Sequence, residues 1–476
     1  MRPAARVTLL LAASVVVLLA ACSSSASDPP SNSSPPPKSA ASCGGASVSP
    51  DAAASLGLDG AEGASLAWSG RVGYPAVAEG DRLFVIGPQR CVLSLHGATG
   101  SQAWSWPVQG SSSSVMGLAA SPRIVLVAFG DTHGHAPAMV YSATDQLAGL
   151  DPLTGEQRWF RHLVADGQGV PAVLVGGRVV VAEPKGTVIG LDAATGAKRW
   201  ADLIPAGCIA ADVQGGLSPA ADVLPDAPAV TVVYQCADTQ HLARLNPATG
   251  ATQWTWTVPA NWSVQYQSPV GSASGVLGVI VSGHGNPLAP LRTASTQTPP
   301  GYETDSLVAV DATTGKPLWQ INDVVGSAGV YGGGGQLCLA SGFGVTCYAA
   351  GTGAVSWRED PPAVPAGGGP AGPIFTAVVA DAGRLYLTVA TPKAKSIPRQ
   401  STTYHGSAGA FQLQVIDMAS GHQASATSLP AFYGGSQQVV VSPDSPPGVL
   451  AVSDNDVFVS PQVHETNVIE AWPRRR

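Results

Sequence analysis

A nine-residue frame, D-x-x-T-G-x-x-x-W, recurs along the chain and constrains its fold more than any other feature. The seven copies begin at Asp151, Asp192, Asn246, Asp311, His96, Ala349 and Asp417. The first four in this series fit the frame closely, the next two are looser, and the last lacks the Trp. Units that recur at about 40 residues are typical of arrays in which each unit packs on its neighbours. The repeat therefore predicts one closed array.

Each repeat unit reads as four short strands. The chain holds 56 Gly and 40 Pro, and only 12% of its residues are charged, which is typical of short strands joined by tight turns. In the least decorated unit the apolar runs are Pro171–Val175, Arg178–Ala182, Thr187–Leu191 and Lys198–Leu203. Four antiparallel strands per repeat are the content of a propeller blade.

The two ends of the chain are expected to close the ring. After the seventh turn the short runs are Gln437–Val441, Gly448–Val452, Asp456–Ser460 and Asn467–Trp472. Near the N-terminus, Ser65–Gly70 is a Trp-bearing run that resembles a fourth strand with no blade before it. Closure removes exposed sheet edges. We therefore expect an all-β, eight-bladed β-propeller of four-stranded antiparallel blades, with the N-terminal strand completing the last blade.

The residue types of the frame indicate a structural role. Gly after the Thr allows the positive φ that the turn needs, and Asp or Asn three residues before the Thr can accept hydrogen bonds from turn amides. Each Trp offers about 150–250 Å² of packing surface, which can fill the gap to the next blade. These blade-joint residues are Trp68, Trp104, Trp159, Trp200, Trp254, Trp319 and Trp357. The alternative interpretation is a row of aromatic rings that stack a ligand.

The frame resembles the repeat of the pyrroloquinoline-quinone (PQQ) propeller superfamily, over roughly Ser65–Trp472. That family includes scaffolds without a cofactor as well as dehydrogenases. A dehydrogenase of this family implies PQQ, calcium, a catalytic Asp and, in many members, an adjacent Cys-Cys pair. This sequence has no Cys-Cys pair and no C-x-x-C-H haem segment. We therefore assign no catalytic, cofactor-binding or metal-binding residue.

The N-terminus has the pattern of a targeting signal. Arg2 and Arg6 precede an apolar run from Val7 to Ala21, which is too short to read first as a spanning helix. The run ends Leu-Ala-Ala-Cys at Cys22, which resembles the lipobox of bacterial lipoproteins. That resemblance implies cleavage before Cys22 and diacylation of its thiol, and two acyl chains give a stable anchor. The alternative is an ordinary secretory signal followed by a chance Cys.

The sequence thus divides into a signal peptide (1–21), a Ser/Pro-rich tether (22–42), an N-terminal extension (43–64) and the propeller (65–476). The tether has almost nothing to bury and should be semi-extended. The formal net charge is −7, without a basic stripe. A chain of this charge is a poor partner for nucleic acid.

The six cysteines other than Cys22 are expected to pair, because pairing is usual outside the cytoplasm. The strand register sets Cys338 directly opposite Cys347. Cys208 and Cys236 bracket a predicted hairpin. Cys43 and Cys91 then pair by elimination.

The interruptions of the repeat are the best candidates for binding. In a four-stranded blade, the links from second to third strand and the links between blades share one face, while the Thr-Gly turns lie on the other. Three insertions are predicted second-to-third links, namely Asp131–Asp145, Gly283–Asp305 and Pro392–Ala410. Gly215–Pro228 is predicted to join first and second strands on the opposite face. Long loops on a rigid scaffold commonly carry function.

The links of this face, including the one that holds His464, contain five of the nine histidines, with His241 near another link, and they also contain a basic segment. The candidate binding residues are His133, His135, His284, Lys393, Lys395, Arg399 and His405. A metal or anion site at the mouth of the ring is one interpretation of the histidines, and solvated loops are the other. The basic segment could dock an acidic partner or anionic lipid headgroups.

The sequence favours a lipid-anchored protein on the extracytoplasmic side of the cell membrane that acts as a non-catalytic protein-binding platform. In architecture and anchoring it resembles the propeller lipoprotein of the outer-membrane assembly machinery. Expected partners are membrane lipid, through acylated Cys22, and an envelope protein. The alternatives are a PQQ-dependent dehydrogenase and a metal- or small-ligand-binding sensor.

Overall fold

A computed structural model describes the chain as short β-strands joined by turns. The described residues are 43, 48–49, 68–71, 73–87, 91–108, 113–131, 146–163, 172–183, 186–205, 207–214, 229–260, 262–264, 271–283, 293–295, 304–325, 329–341, 344–359, 374–381, 383–390, 404–407, 411–429, 438–441, 450–452, 456–459 and 468–473. They lie in the larger of two units, Pro37–Arg476, and none lies in Met1–Pro36. The predicted signal peptide, Cys22 and the tether up to Ser42 therefore fall outside them. No helix within the described ranges is long and apolar enough to cross a membrane.

Two strands precede the first blade, β1 (Val48–Ser49) and β2 (Trp68–Arg71). Blades 1 to 3 each contain four antiparallel strands that pair in chain order. Blade 1 contains β3 (Gly73–Glu79), β4 (Arg82–Gly87), β5 (Cys91–His96) and β6 (Gln102–Pro107); blade 2 contains β7 (Ser113–Ser121), β8 (Ile124–Asp131), β9 (Gln146–Leu150) and β10 (Gln157–His162); blade 3 contains β11 (Ala172–Val175), β12 (Arg178–Glu183), β13 (Thr187–Asp192) and β14 (Lys198–Leu203).

Blades 4 to 7 continue the pattern, with extra strands in blades 5 and 7. Blade 4 contains β15 (Cys208–Gln214), β16 (Val230–Cys236), β17 (Thr239–Leu245) and β18 (Thr252–Thr257); blade 5 contains β19 (Trp262–Val264), β20 (Gly271–Ala273), β21 (Val276–Gly283), β22 (Thr293–Ser295), β23 (Thr304–Asp311) and β24 (Pro317–Val325); blade 6 contains β25 (Gly329–Gly333), β26 (Gln336–Ser341), β27 (Gly344–Ala349) and β28 (Val355–Glu359); blade 7 contains β29 (Ile374–Asp381), β30 (Arg384–Ala390), β32 (Phe411–Asp417) and β33 (Gln423–Leu429), with β31 (Tyr404–Ser407) in its link.

The two chain ends build a composite sheet that differs from the blades. The last strands are β34 (Gln438–Val441), β35 (Leu450–Val452), β36 (Asp456–Val459) and β37 (Val468–Pro473). The sheet has five strands in the order β1-β2-β37-β36-β35. Its innermost strand, β35, contacts β29 of blade 7 on one side and β3 of blade 1 on the other.

The prediction of eight uniform four-stranded blades is wrong, because the structure has seven blades that are each built from one continuous stretch of chain. Gln438–Val441, which was predicted to belong to an eighth blade, pairs instead with β31 in a separate two-stranded sheet. Blade 5 also departs from the pattern, because β22 adds a parallel strand to the outer edge of β24. The physical reason is that the frame ends with the copy at Asp417. The last strands therefore have no turn motif of their own to define another blade.

The core of the molecule lies between neighbouring blades. Between blades 4 and 5, for example, Val233 and Leu242 belong to the same buried cluster as Val279 and Val308. Strands with apolar residues on both faces suit this arrangement, because each sheet is covered on both sides by its neighbours.

Six tryptophans join each blade to the next through the indole N–H. Each one donates to the backbone carbonyl of the residue that follows the first position of the next frame. The pairs are Trp104 to Pro152 (2.9 Å), Trp159 to Ala193 (2.7 Å), Trp200 to Pro247 (2.8 Å), Trp254 to Ala312 (2.8 Å), Trp319 to Ala350 (2.7 Å) and Trp357 to Met418 (2.7 Å). Trp68 lies in β2 opposite Ala471.

The same indole rings lie against the Gly of the next Thr-Gly turn. Gly196 has a φ of +68°, and a Cβ at this position would be 2.7 Å from Cδ2 of Trp159. Equivalent contacts join Gly155 to Trp104 and Gly315 to Trp254. Gly is therefore required at this position for two reasons. The turn needs a positive φ, and the Trp ring leaves no room for a Cβ.

The first residue of the frame holds the turn together. Oδ1 of Asp192 accepts hydrogen bonds from the backbone N–H of Ala194 (3.1 Å) and Thr195 (3.2 Å) and from the Thr195 hydroxyl (3.1 Å). Oδ2 accepts from Arg199 at 2.9 Å. The Arg199 hydrogen bond, followed by the Thr195 hydrogen bond, lowers the pKa of Asp192 even though burial acts in the opposite direction. In blade 4, Asn246 accepts the equivalent two amide hydrogen bonds without a charge.

Gly196→Ala should destabilise the fold more than Gly177→Ala. Both glycines have positive φ, but a Cβ at Gly177 would meet nothing within 4 Å. We expect Gly177→Ala to cost about 1–2 kcal/mol for the left-handed backbone. Gly196→Ala should cost a further 1–3 kcal/mol or so, because the methyl group displaces the Trp159 ring. Urea denaturation measures both free energies of unfolding, and equal losses would contradict the joint described above.

Candidate functional site on the crown face

The strand order defines two faces of the ring. Because the strands of a blade are antiparallel, the links from second to third strand and the links between blades lie on one face, which we name the crown face. In blade 4 it includes the start of β15 at Cys208 and the turn from Cys236 to Thr239. The Thr-Gly turns lie on the opposite face.

Three of the four long insertions join second and third strands. Residues 132–145 join β8 to β9, residues 284–303 join β21 to β23, and residues 391–410 join β30 to β32. The fourth insertion, residues 215–228, joins β15 to β16 and so belongs to the opposite face. The second-to-third links of blades 1, 3, 4 and 6 are short, such as residues 184–186 in blade 3.

The insertions of blades 5 and 7 each contribute a short strand. From the blade 5 insertion, β22 runs parallel to β24, with Ala294 opposite Ile321. From the blade 7 insertion, β31 pairs with β34, which belongs to the link that follows the last strand of the same blade. Two links of the crown face are therefore tied together by backbone hydrogen bonds.

Most of the predicted binding candidates fall outside the residues that the structure describes. His133, His135, His284, Lys393, Lys395 and Arg399 lie outside the described ranges. His405 lies in β31, where its backbone is opposite Val440. No three His, Cys, Asp or Glu residues lie close enough to hold a metal ion within the part of the chain that the structure describes.

All three predicted disulfides are present. The Cα–Cα distances are 5.9 Å for Cys43–Cys91, 4.2 Å for Cys208–Cys236 and 4.0 Å for Cys338–Cys347. Cys338 lies directly opposite Cys347 in the β26–β27 pair, and Cys208 lies opposite Cys236 in the β15–β16 pair. The first two disulfides lie at the crown face.

An apolar side chain stands out at the mouth of the ring in blade 4. Ile209 follows Cys208 in the innermost strand β15 and is 57% exposed. The neighbouring disulfide fixes the start of this strand to the end of β16, so the backbone that presents Ile209 is constrained. Leu153, in the Thr-Gly turn of blade 2, is 69% exposed on the opposite face.

Next to this disulfide lies His241, which the sequence put near a link of the crown face but did not include among the candidate binding residues. His241 lies opposite Tyr234, and their rings stack with centroids 4.9 Å apart and planes 18° from parallel. Nδ1 of His241 is 3.2 Å from the Thr257 hydroxyl. Burial lowers the pKa of His241 below its usual value of 6.5, which favours the neutral ring. No sequence motif marks this pair, because only the register of β16 against β17 sets Tyr234 opposite His241.

A buried polar group lies at the base of the blade 5 insertion. Asp305 is only 5% exposed and accepts a hydrogen bond from the Ser282 hydroxyl on the neighbouring strand. The Ser306 hydroxyl donates to Oδ1 of Asn322 at 3.2 Å, and Nε2 of Gln320 donates to the same oxygen at 2.9 Å. Buried polar groups that are hydrogen-bonded favour one arrangement of the chain. These bonds fix the two points at which the insertion leaves and rejoins the blade.

The carboxylates of the Thr-Gly turns are occupied by their own turns. Asp151 accepts hydrogen bonds from the N–H groups of Leu153 and Thr154, and Asp311 accepts from Thr313 and Thr314. The Thr314 amide hydrogen bond is the main cause that lowers the pKa of Asp311. These acids therefore stabilise the turns to which they belong.

His241 should make the stability of the fold depend on pH. Unfolding restores its ordinary pKa, so the unfolded chain binds a proton more readily than the folded chain. The stabilisation is complete above about pH 6.5 and is lost as the pH falls towards the folded pKa. We expect His241→Gln to lose less unfolding free energy between about pH 7.5 and pH 5.5 than the wild type. Identical slopes for His241→Gln and the wild type would contradict the burial of His241.

Comparison with known proteins supports the fold. A family model described as outer membrane protein assembly factor BamB matches residues 51–159, 135–266 and 303–424. The crystal structure of BamB from Moraxella catarrhalis is 14% identical to the chain, with a TM-score of 0.50, and the alignment covers 87% of this chain and 100% of that one.

Two further solved structures are less similar to the chain. The computationally designed Ika8 protein is 13% identical with a TM-score of 0.48, over 88% of this chain and 98% of that one. The quinohemoprotein alcohol dehydrogenase from Comamonas testosteroni is 12% identical with a TM-score of 0.43, over 90% and 70%. No curated protein sequence matches the chain. Because the family model covers more than half of the chain, the protein belongs to the PQQ-like propeller family described as outer membrane protein assembly factor BamB.

Proposed function

We propose that the protein is a lipoprotein of the cell envelope whose propeller acts as a non-catalytic platform for another envelope protein. The observation that carries this proposal is the position of the insertions. Three interruptions of a regular repeat, in blades 2, 5 and 7, all belong to the crown face. A rigid ring that presents three of its four long insertions on one side suits protein recognition.

The joints between the blades support a platform of fixed shape. Each of six tryptophans both donates a hydrogen bond to the next blade and covers its turn glycine. A preorganised surface loses less conformational freedom on binding, which favours affinity. The disulfide at Cys208–Cys236 and the buried Asp305 extend this order to the crown face itself.

The proposed location rests on the sequence of the N-terminus. The Leu-Ala-Ala-Cys segment that ends at Cys22 resembles a lipobox, which implies an acyl anchor in the membrane. The disulfides fit an oxidising compartment outside the cytoplasm. On this proposal the propeller needs no cofactor, and Ser23–Ser42 is the tether between the anchor and the folded part.

Adding PQQ and calcium to the purified folded part of the protein distinguishes a dehydrogenase from a platform. Under the dehydrogenase alternative, PQQ and calcium together should give a bound chromophore and reduction of a dye. Under the platform proposal, neither is expected.

A photocrosslinker at Ile209 should capture a partner in native membranes, whereas one at Leu153 should not. Both side chains are apolar and well exposed, but they lie on opposite faces of the ring. We expect one discrete crosslinked band from position 209 in the acylated full chain. Unlabelled wild-type protein in excess should reduce this band, because it competes for the same partner.

Three outcomes would contradict the crown face as the binding surface. Equal crosslinking from both positions would indicate non-specific contact, and a band from position 153 alone would place the binding surface on the Thr-Gly face. An Ile209→Asp variant that stays folded but retains full association would exclude this part of the crown face.

A further inference from the structure

The N-terminal segment enters the folded part of the protein at the crown face. Cys43 is disulfide-bonded to Cys91, the first residue of β5. Cys91 pairs with Gly87 at the end of β4 and with Pro107 at the end of β6. All three of these strand ends belong to the crown face of blade 1, whereas the Thr-Gly turn of the blade follows the other end of β5.

The short strand β1 gives an independent indication of the same direction. Val48 lies opposite Gly70, and Ser49 lies opposite Ser69. The strand β2 runs towards the crown face, because it ends at Arg71 and β3 starts two residues later, opposite the end of β4. Since β1 is antiparallel to β2, it starts nearer to the crown face and runs away from it.

The disulfide also shortens the free chain between the anchor and the ring. Only the 20 residues Ser23–Ser42 separate Cys22 from Cys43. A pair of two residues such as β1 is weak by itself. Without the disulfide the first strand of normal length is therefore β2, which starts at Trp68. The chain between Cys22 and this attachment point would then lengthen from 20 residues to 45 (23–67).

We propose that the Cys43–Cys91 disulfide turns the crown face towards the membrane that holds the acylated N-terminus. This orientation rests on the proposed anchoring through Cys22. The lipid surface is then the first macromolecular surface that the crown face meets, and the Thr-Gly turns face away from it. Shortening the free chain from about 45 to 20 residues raises the effective concentration of the crown face at the membrane about threefold.

Energy transfer to the lipid surface measures this orientation directly. A fluorescent amino acid replaces either His162 or Thr154 in the acylated full chain, which is reconstituted into vesicles of phosphatidylethanolamine and phosphatidylglycerol with a headgroup acceptor dye. Both positions are exposed and belong to blade 2, but His162 ends β10 at the crown face whereas Thr154 lies in the opposite turn. We expect higher transfer from position 162.

Two variants separate the disulfide from the fold. In the double variant Cys43→Ser and Cys91→Ser, the difference in transfer between the two positions should shrink. If that variant does not fold, a 25-residue Gly/Ser insertion between Ser42 and Cys43 leaves the disulfide intact and should shrink the difference in the same way.

The outcomes distinguish the orientation from the anchor. Equal transfer from both positions in the wild type, or higher transfer from position 154, overturns the orientation while the protein still sediments with the vesicles. Failure of the wild type to sediment, or sedimentation that Cys22→Ser does not reduce, refutes the anchored function and the orientation with it.

Discussion

The hydrogen bond from a tryptophan indole to the next blade is the interaction on which the rest of the structure depends. Trp159 donates to the carbonyl of Ala193, and the same ring covers Gly196 of the turn that Asp192 holds in place. Each frame therefore takes part in two joints. Its turn accepts the Trp of the preceding blade, and its own Trp contacts the turn of the following blade. A buried indole N–H without an acceptor would be costly, which ties the register of each blade to its neighbour.

Because the residues of the frame form these joints, the proposed recognition of a partner has to use other parts of the chain. The insertions and links of the crown face do not form these joints. Other interactions stabilise the chain on this face. The Cys208–Cys236 disulfide fixes the backbone beside the exposed Ile209, and the buried Asp305 holds the base of the blade 5 insertion. The Cys43–Cys91 disulfide fixes Cys43, the residue after the predicted tether, to the same face.

Sequence reasoning reached the features that depend on local patterns. The propeller superfamily followed from the frame, and the pairing of Cys338 with Cys347 followed from the alternation of residues across a two-stranded register. It failed where tertiary pairing decides. The strand Gln438–Val441 has an ordinary apolar pattern, and nothing local indicates that β31 takes it as a partner. The stacked pair of Tyr234 and His241 was missed because a lone histidine in a strand carries no motif.

Hydrogen exchange tests most directly whether the crown face contacts the membrane or a partner protein. Amide exchange is measured for the acylated full chain in native membranes and for protein that has been released from the membrane by cleavage within the tether. The account predicts slower exchange in membranes at the crown-face turn of blade 4, residues 236–239, and unchanged exchange at the Thr-Gly turns that begin at Asp151 and Asp192. Protection of these two turns with no change at residues 236–239 would contradict it.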